Sequence, residues 1–227
     1  MKRIALTGFL ILFYFSTISA SAQAVETLNK PAFQTQTFLD PLLNIVTTNL
    51  AYKADGSDLN DYNKSILGAQ LGVSFQAGVT PHFSIVPELY AIMKGGKLEP
   101  GNPIYGSSVT YRFYQVELPL LARFHAGRFH INAGPSIAYN IHGTQRSQLR
   151  TVSLDFNNSS LGFKRWEVSV QAGGGYTFHT RKRRITLDMR YQVGLTDVSS
   201  GREMYNRGFV ISLHASKPWK TNPLAIN

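Results

Sequence analysis

From Leu67 to Val79 the chain alternates on a strict period of two. Leu67, Ala69, Leu71, Val73, Phe75, Ala77 and Val79 interleave with Gly68, Gln70, Gly72, Ser74, Gln76 and Gly78. Successive strand residues point to opposite faces, so one face here is greasy and the other small or polar. Seven stretches share this habit, which by itself also fits a soluble sheet. What narrows it is the company of a secretion signal, aromatic residues at strand ends, and connections that alternate short and long.

The first residues assign the compartment. Lys2 and Arg3 precede an apolar run from Ile4 to Ile18, followed by the small-x-small sites Ala20-Ser21-Ala22 and Ala22-Gln23-Ala24. That is a signal peptide over 1–24, cleaved after 22 or 24. The run is shorter than the roughly 20 residues that cross a bilayer as a helix. Cysteine is absent, which excludes a disulfide scaffold, a Cys-ligated zinc site, a thiol nucleophile and a lipidated N-terminal cysteine. Loss of Lys2 and Arg3 lowers the formal charge from +10 to +8. Much of that charge is scattered through connections rather than gathered on one face, so anionic lipid is expected as its partner and nucleic acid is not. The Arg181-Lys182-Arg183-Arg184 run reads as a cap against lipid headgroups.

Strands are expected at 44–53, 66–79, 82–94, 109–124, 128–142, 164–178, 184–197 and 207–216. Thr80-Pro81, Ala126-Gly127 and Thr180 to Arg183 make tight connections. Ala54 to Ser65, Gly95 to Ser108, Gly143 to Phe163 and Val198 to Asn206 are long and rich in Gly, Asn, Ser and Asp. Short periplasmic turns alternating with long extracellular loops are the signature of an outer-membrane barrel. The fold expected is therefore all-β: an eight-stranded antiparallel transmembrane β-barrel, an up-and-down meander over 44–219. A periplasmic lead-in covers 25–43 and a tail covers 220–227. Trp219 is read as the terminal aromatic before that tail.

Membrane thickness gives a check. On the outward parity, aromatics bracket Tyr114 to Phe124, Phe129 to Tyr139 and Trp166 to Phe178. Ten residues at about 3.4 Å, tilted near 40°, rise roughly 26 Å, against an apolar band about 25 Å tall. The inward parity instead carries Glu88, Glu117, Arg123, His130, Arg165, Glu167, Arg184, Asp188 and Arg190. A soluble sandwich would bury those charges and leave the leucines in water. An eight-stranded lumen is just wide enough for side chains to fill. Glu88, Glu117, Arg165, Glu167, Asp188 and Arg190 are thus expected to pair across it as a structural network, which argues against a wide pore.

Val116-Glu117-Leu118-Pro119-Leu120-Leu121, the following Gly134-Pro135, the Leu187 to Asp197 segment, and His82-Phe83-Ser84-Ile85 leading to Pro87-Glu88-Leu89-Tyr90 occur in order. Together they resemble the PorT-like outer-membrane β-barrel family of Bacteroidota, over roughly Ile66 to Leu213. The resemblance implies an eight-stranded outer-membrane barrel. It also implies, through the namesake branch, a link to a protein-secretion apparatus.

His82, Ser84 and Glu88 share a parity and invite comparison with lipid-modifying barrel enzymes, since a serine nucleophile needs an imidazole base and an orienting carboxylate. Their expected place, inward and at the periplasmic end, is wrong for an outer-leaflet substrate. No catalytic residue, metal ligand or cofactor is assigned. Gly173-Gly174-Gly175 lies within an alternating strand and is read as relief of crowding opposite Arg190. The function expected is a structural or interaction role through the long loops. The partners are outer-membrane lipid, the barrel assembly machinery during insertion, and a secretion-system or extracellular protein. A lipid-modifying enzyme and a narrow solute channel are the alternatives.

Overall fold

The computed structural model describes residues 37–53, 59–156, 162–179 and 184–216. The segments read from sequence as a signal peptide, a tight Thr180 to Arg183 turn, a terminal aromatic at Trp219 and a tail lie outside them. Ten strands follow in order: β1 (Phe38–Tyr52), β2 (Asn63–Lys64), β3 (Ile66–Thr80), β4 (Phe83–Leu98), β5 (Val109–Ala126), β6 (Phe129–Ser147), β7 (Thr151–Ser153), β8 (Trp166–His179), β9 (Arg184–Gly194) and β10 (Met204–Ser216). A one-turn 3-10 helix, Leu59–Tyr62, precedes β2. No described helix is long and apolar enough to cross a membrane.

Eight long antiparallel strands close into a barrel, each bonded to its sequence neighbours, and β1 pairs both β3 and β10. Closure leaves no unpaired edge, the condition for a sheet in a solvent that cannot hydrogen-bond to it. The short β2 and β7 extend β4 and β6 beyond the barrel wall at the loop end.

Burial follows the alternation. In β5, Tyr114, Val116, Leu118, Leu120 and Phe124 are exposed while Tyr111, Phe113, Gln115, Glu117 and Arg123 are buried. The outer face carries Leu43 at 73% and Ile131 at 66% exposure, a surface suited to hydrocarbon rather than water. Aromatic contacts mark both borders of that belt. Tyr139 meets Trp166 at 4.9 Å on one side, and Phe129 meets Tyr176 at 4.8 Å on the other.

The first strand departs from expectation. It begins at Phe38 rather than Asn44, so 38–43 belongs to the barrel wall and not to a lead-in. Asp40 and Pro41 look like strand breakers in sequence. Here Asp40 turns inward and accepts a 2.7 Å bond from Ser216 Oγ, while Pro41 faces outward opposite Val73. At the loop end β4 runs on to Leu98 and β6 to Ser147, past the expected Lys94 and His142. Gly95, Gly96 and Lys97 in β4 and Gly143 to Ser147 in β6 show no apolar alternation that would mark the extension.

Gly173 faces Arg190 across the β8–β9 ladder. A Cβ built there would lie 2.0 Å from the Met189 carbonyl oxygen and 2.7 Å from Arg190 Cα. Gly173→Ala should therefore lower the urea resistance of the membrane-inserted protein by about 1–3 kcal/mol, the usual cost of overpacking. Ser153→Ala, on the exposed β7, should stay within about 0.5 kcal/mol.

Candidate functional site

The lumen holds the molecule's densest chemistry, in three tiers. Alternation makes these polar side chains converge, because every second residue of eight strands points at one axis. Nearest the loops, Lys94 of β4 lies between two carboxylates, 3.1 Å from Glu167 Oε1 and 3.4 Å from Glu117 Oε2. Glu117 also accepts bonds from Ser136 Oγ at 2.6 Å, Gln171 Nε2 at 3.0 Å and Gln192 Nε2 at 2.6 Å. Glu167 accepts from Gln115 Nε2 at 2.9 Å and Asn206 Nδ2 at 2.8 Å.

In the middle tier Arg190 Nη1 donates to Glu88 Oε2 at 2.7 Å, with both side chains fully out of solvent. The guanidinium reaches Gln171 at 3.3 Å and Ser212 at 3.5 Å, and Ser74 supports Glu88 at 3.3 Å. Toward the short turns, Asp188 Oδ2 gathers Arg123 Nη2 at 2.8 Å, Asn132 Nδ2 at 2.9 Å and His130 Nε2 at 3.3 Å. Gln76 Oε1 ties this tier to Arg184 by accepting from Arg123 at 3.2 Å and Arg184 at 3.1 Å. The Arg184 guanidinium sits 3.5 Å over the Phe38 ring. Each carboxylate is thus offset by a cation and by neutral donors, the arrangement that makes burial of charge tolerable.

Five of the six residues singled out from sequence, Glu88, Glu117, Glu167, Asp188 and Arg190, meet in this lumen. Arg165 does not. Strand β8 starts at Trp166, so Arg165 stands exposed above the rim, where it donates to the Asn140 carbonyl at 3.2 Å and covers the Phe156 ring at 5.3 Å. The sequence reading missed Lys94, which the expected end of its strand made look like a rim residue. Parity with Glu88 was the signal that would have found it.

Over the upper tier sits an apolar plug rather than an open mouth. Leu50, Leu59, Leu98, Val109, Phe113, Leu154, Phe156, Val198 and Met204 are buried together at the loop end, with Phe163 packed on them. The Phe163 ring is 5.6 Å from Phe113 and 5.9 Å from Tyr111.

The His82, Ser84 and Glu88 grouping does not form. His82 is exposed on the β3–β4 turn, its Nδ1 3.3 Å from the His125 carbonyl, whereas Ser84 Oγ meets His125 Nε2 at 2.9 Å and Glu88 is held by Arg190. Among the described residues no group of three His, Cys, Asp or Glu is placed to hold a metal.

Lys94→Met should leave Glu117 and Glu167 short of their cation. Breaking a buried pair this way typically costs about 3–5 kcal/mol, read as a loss of urea resistance in lipid vesicles. Lys64→Met removes a solvent-exposed pair at 3.8 Å with Glu99 and should cost about 0–1 kcal/mol.

The sequence matches the family model described as outer membrane protein beta-barrel domain over residues 36–200. No curated protein matches it. Its fold is similar to that of OprG from Pseudomonas aeruginosa, at 10% identity and TM-score 0.45, covering 82% of this chain and 97% of that one. It is also similar to Neisserial surface protein A, at 9% identity and TM-score 0.45, covering 79% and 96%. The attachment invasion locus protein Ail of Yersinia pestis, solved with the heparin analogue sucrose octasulfate, aligns at 9% identity and TM-score 0.43, covering 81% and 99%. With a closed eight-stranded barrel that is apolar outside and charged within, the chain belongs to the outer membrane protein beta-barrel domain family and is a protein of the outer membrane.

Proposed function

We propose that this outer-membrane protein is a sealed, non-catalytic scaffold that presents its loop-end connections to a partner. The observation that carries the reading is the double closure of the lumen. Three tiers of ion pairs fill its width, and an apolar plug covers them. A solute path would have to break buried charge pairs, and the serine bonded to an imidazole, Ser84 on His125, is buried near the short turns, away from outer-leaflet lipid. The loops, by contrast, are held on a rigid frame, which is where such proteins place recognition. Leu149 supports this most directly, being 96% exposed at the tip of the β6–β7 hairpin.

The PorT-like sequence features favour a component of a protein-secretion apparatus as the partner. Outer-membrane lipid and the assembly machinery are the other contacts this reading requires.

The purified protein should give no steady conductance in a planar bilayer at neutral pH, and stable porin-sized channels would overturn the sealed scaffold. A photocrosslinking residue in place of Leu149 should capture an extracellular or secretion-apparatus protein on intact cells. Recovery of lipid alone would remove the interaction role.

A further inference from the structure

The apolar plug is not solid. A cavity of about 280 Å³ is cut into its loop side, bordered by Tyr105, Phe163 and the Ser199 to Arg202 segment. Its apolar wall comes from Leu98, Phe163 and Met204, which belong to the plug itself. Opposite stand three phenols, of Tyr52, Tyr105 and Tyr111, with the Tyr105 and Tyr111 hydroxyls 2.7 Å apart. Exposed Arg202 closes the ring of polar groups at the mouth. A greasy wall, a few convergent polar groups and one charge are what a small-molecule site needs.

The chain holds this cavity in shape before any ligand arrives. Buried Asn102 organises the 99–108 connection. Its side chain donates to the Glu99 and Ser107 carbonyls at 2.7 and 2.8 Å and accepts from Tyr105 N at 2.9 Å, which fixes where Tyr105 stands. Asn60 clamps the Tyr52 backbone through both its N–H and its carbonyl, at 3.0 and 2.7 Å. Phe163 and Ser199 form an isolated antiparallel bridge, flanked by Lys164 N to Val198 O at 3.0 Å and Ser200 N to Gly162 O at 2.9 Å. Residues 162–164 and 198–200 are thereby tied together beside the cavity, so a ligand would meet little ordering cost there.

The charge at the mouth decides the ligand class. Glu203, next to Arg202, is engaged with Lys53 at 3.4 Å, and Asp197 with Lys164 at 3.4 Å. Among the described residues no carboxylate forms an ion pair with Arg202. A guanidinium offers a planar fork that fits a carboxylate, and phenol hydroxyls add donors to the same oxygens. The volume lies just below the roughly 300–1,000 Å³ of pockets for drug-sized ligands, room for one ring and a short acidic arm.

We infer that this cavity is a binding site for a small aromatic carboxylic acid, its ring against Phe163 and its carboxylate on Arg202 and the tyrosine hydroxyls. The inference deepens the loop-recognition reading and rests on it.

The test uses the full chain in lipid nanodiscs, with ¹³C-labelled tyrosine rings followed by NMR during titration with phenylacetate and, separately, with its neutral isostere phenylacetamide. Phenylacetate should shift Tyr52, Tyr105 and Tyr111 saturably. The amide should bind about tenfold more weakly, as should phenylacetate to Arg202→Met, since the lost contact is a charge-assisted fork. Arg202→Lys, which keeps the charge and loses the fork, should fall between. Arg202 is exposed, so unchanged shifts of the remaining tyrosines would show an intact barrel in each variant. Shifts that never saturate, equal affinities for acid and amide, or an Arg202→Met affinity equal to the parent's would overturn the site. Those results with crosslinking at position 149 intact would remove the cavity's role alone. Loss of that crosslinking as well would remove the loop-recognition reading.

Discussion

Glu88, Glu117, Glu167 and Asp188 are carboxylates held out of water in the centre of a sheet whose outer surface is hydrocarbon-facing. An isolated buried carboxylate is too costly to persist, and the barrel solves this by bringing cations from distant strands to each one. Arg190 and Glu88 are paired from β9 and β4, Arg123 and Asp188 from β5 and β9, and Lys94 of β4 spans Glu117 of β5 and Glu167 of β8. These pairs can form only in the closed barrel with one register, because a one-residue slip of a strand would turn its inward charges toward lipid and its outward apolar residues into the lumen. The tiers thus penalise every other register, whatever net stability they add.

The other features follow from a filled interior. Bulky side chains such as Arg190 require glycine opposite them, which Gly173 and Gly175 provide. With the lumen occupied, apolar residues at the strand tops have nowhere to bury except over the upper tier, and the connections come down onto it through Phe163 and Val198, beside Met204 at the start of β10. The described parts of the connections are therefore braced, and the cavity among the tyrosines is a by-product of bracing that leaves polar groups facing one space. The recognition proposed for that end needs no motion of the barrel.

Much of this was legible in the sequence wherever one face meets lipid. The period-two pattern of Leu67 to Val79, the aromatic brackets of β5, β6 and β8, and the inward parity of Glu88, Glu117, Glu167, Asp188 and Arg190 all derive from that single constraint. Where the constraint lapses, the reading fails. Asp40-Pro41 hid the start of β1, because an inward acid bonded to Ser216 and an outward proline look like a break when no partner is in view. Above the membrane the β6–β7 hairpin has water on both sides and no alternation to detect. Arg165 has the parity of Glu167 but stands one residue above the strand's start, while Lys94 was hidden because β4 continues to Leu98. The cavity is assembled from three connections and five strand ends far apart in sequence, and no local pattern announces it.

A double-mutant cycle on Glu88 and Arg190 tests the central claim most directly, with urea unfolding in lipid vesicles as the readout. If this pair is a desolvated element of the lumen, Glu88→Gln and Arg190→Met will each cost several kcal/mol, on the order of 3–5. The double variant will then lose less than the two losses added together, by about 1–3 kcal/mol of coupling. Strictly additive losses would mean that the two side chains do not depend on each other, and that buried charge pairing is not what fixes the interior of this barrel.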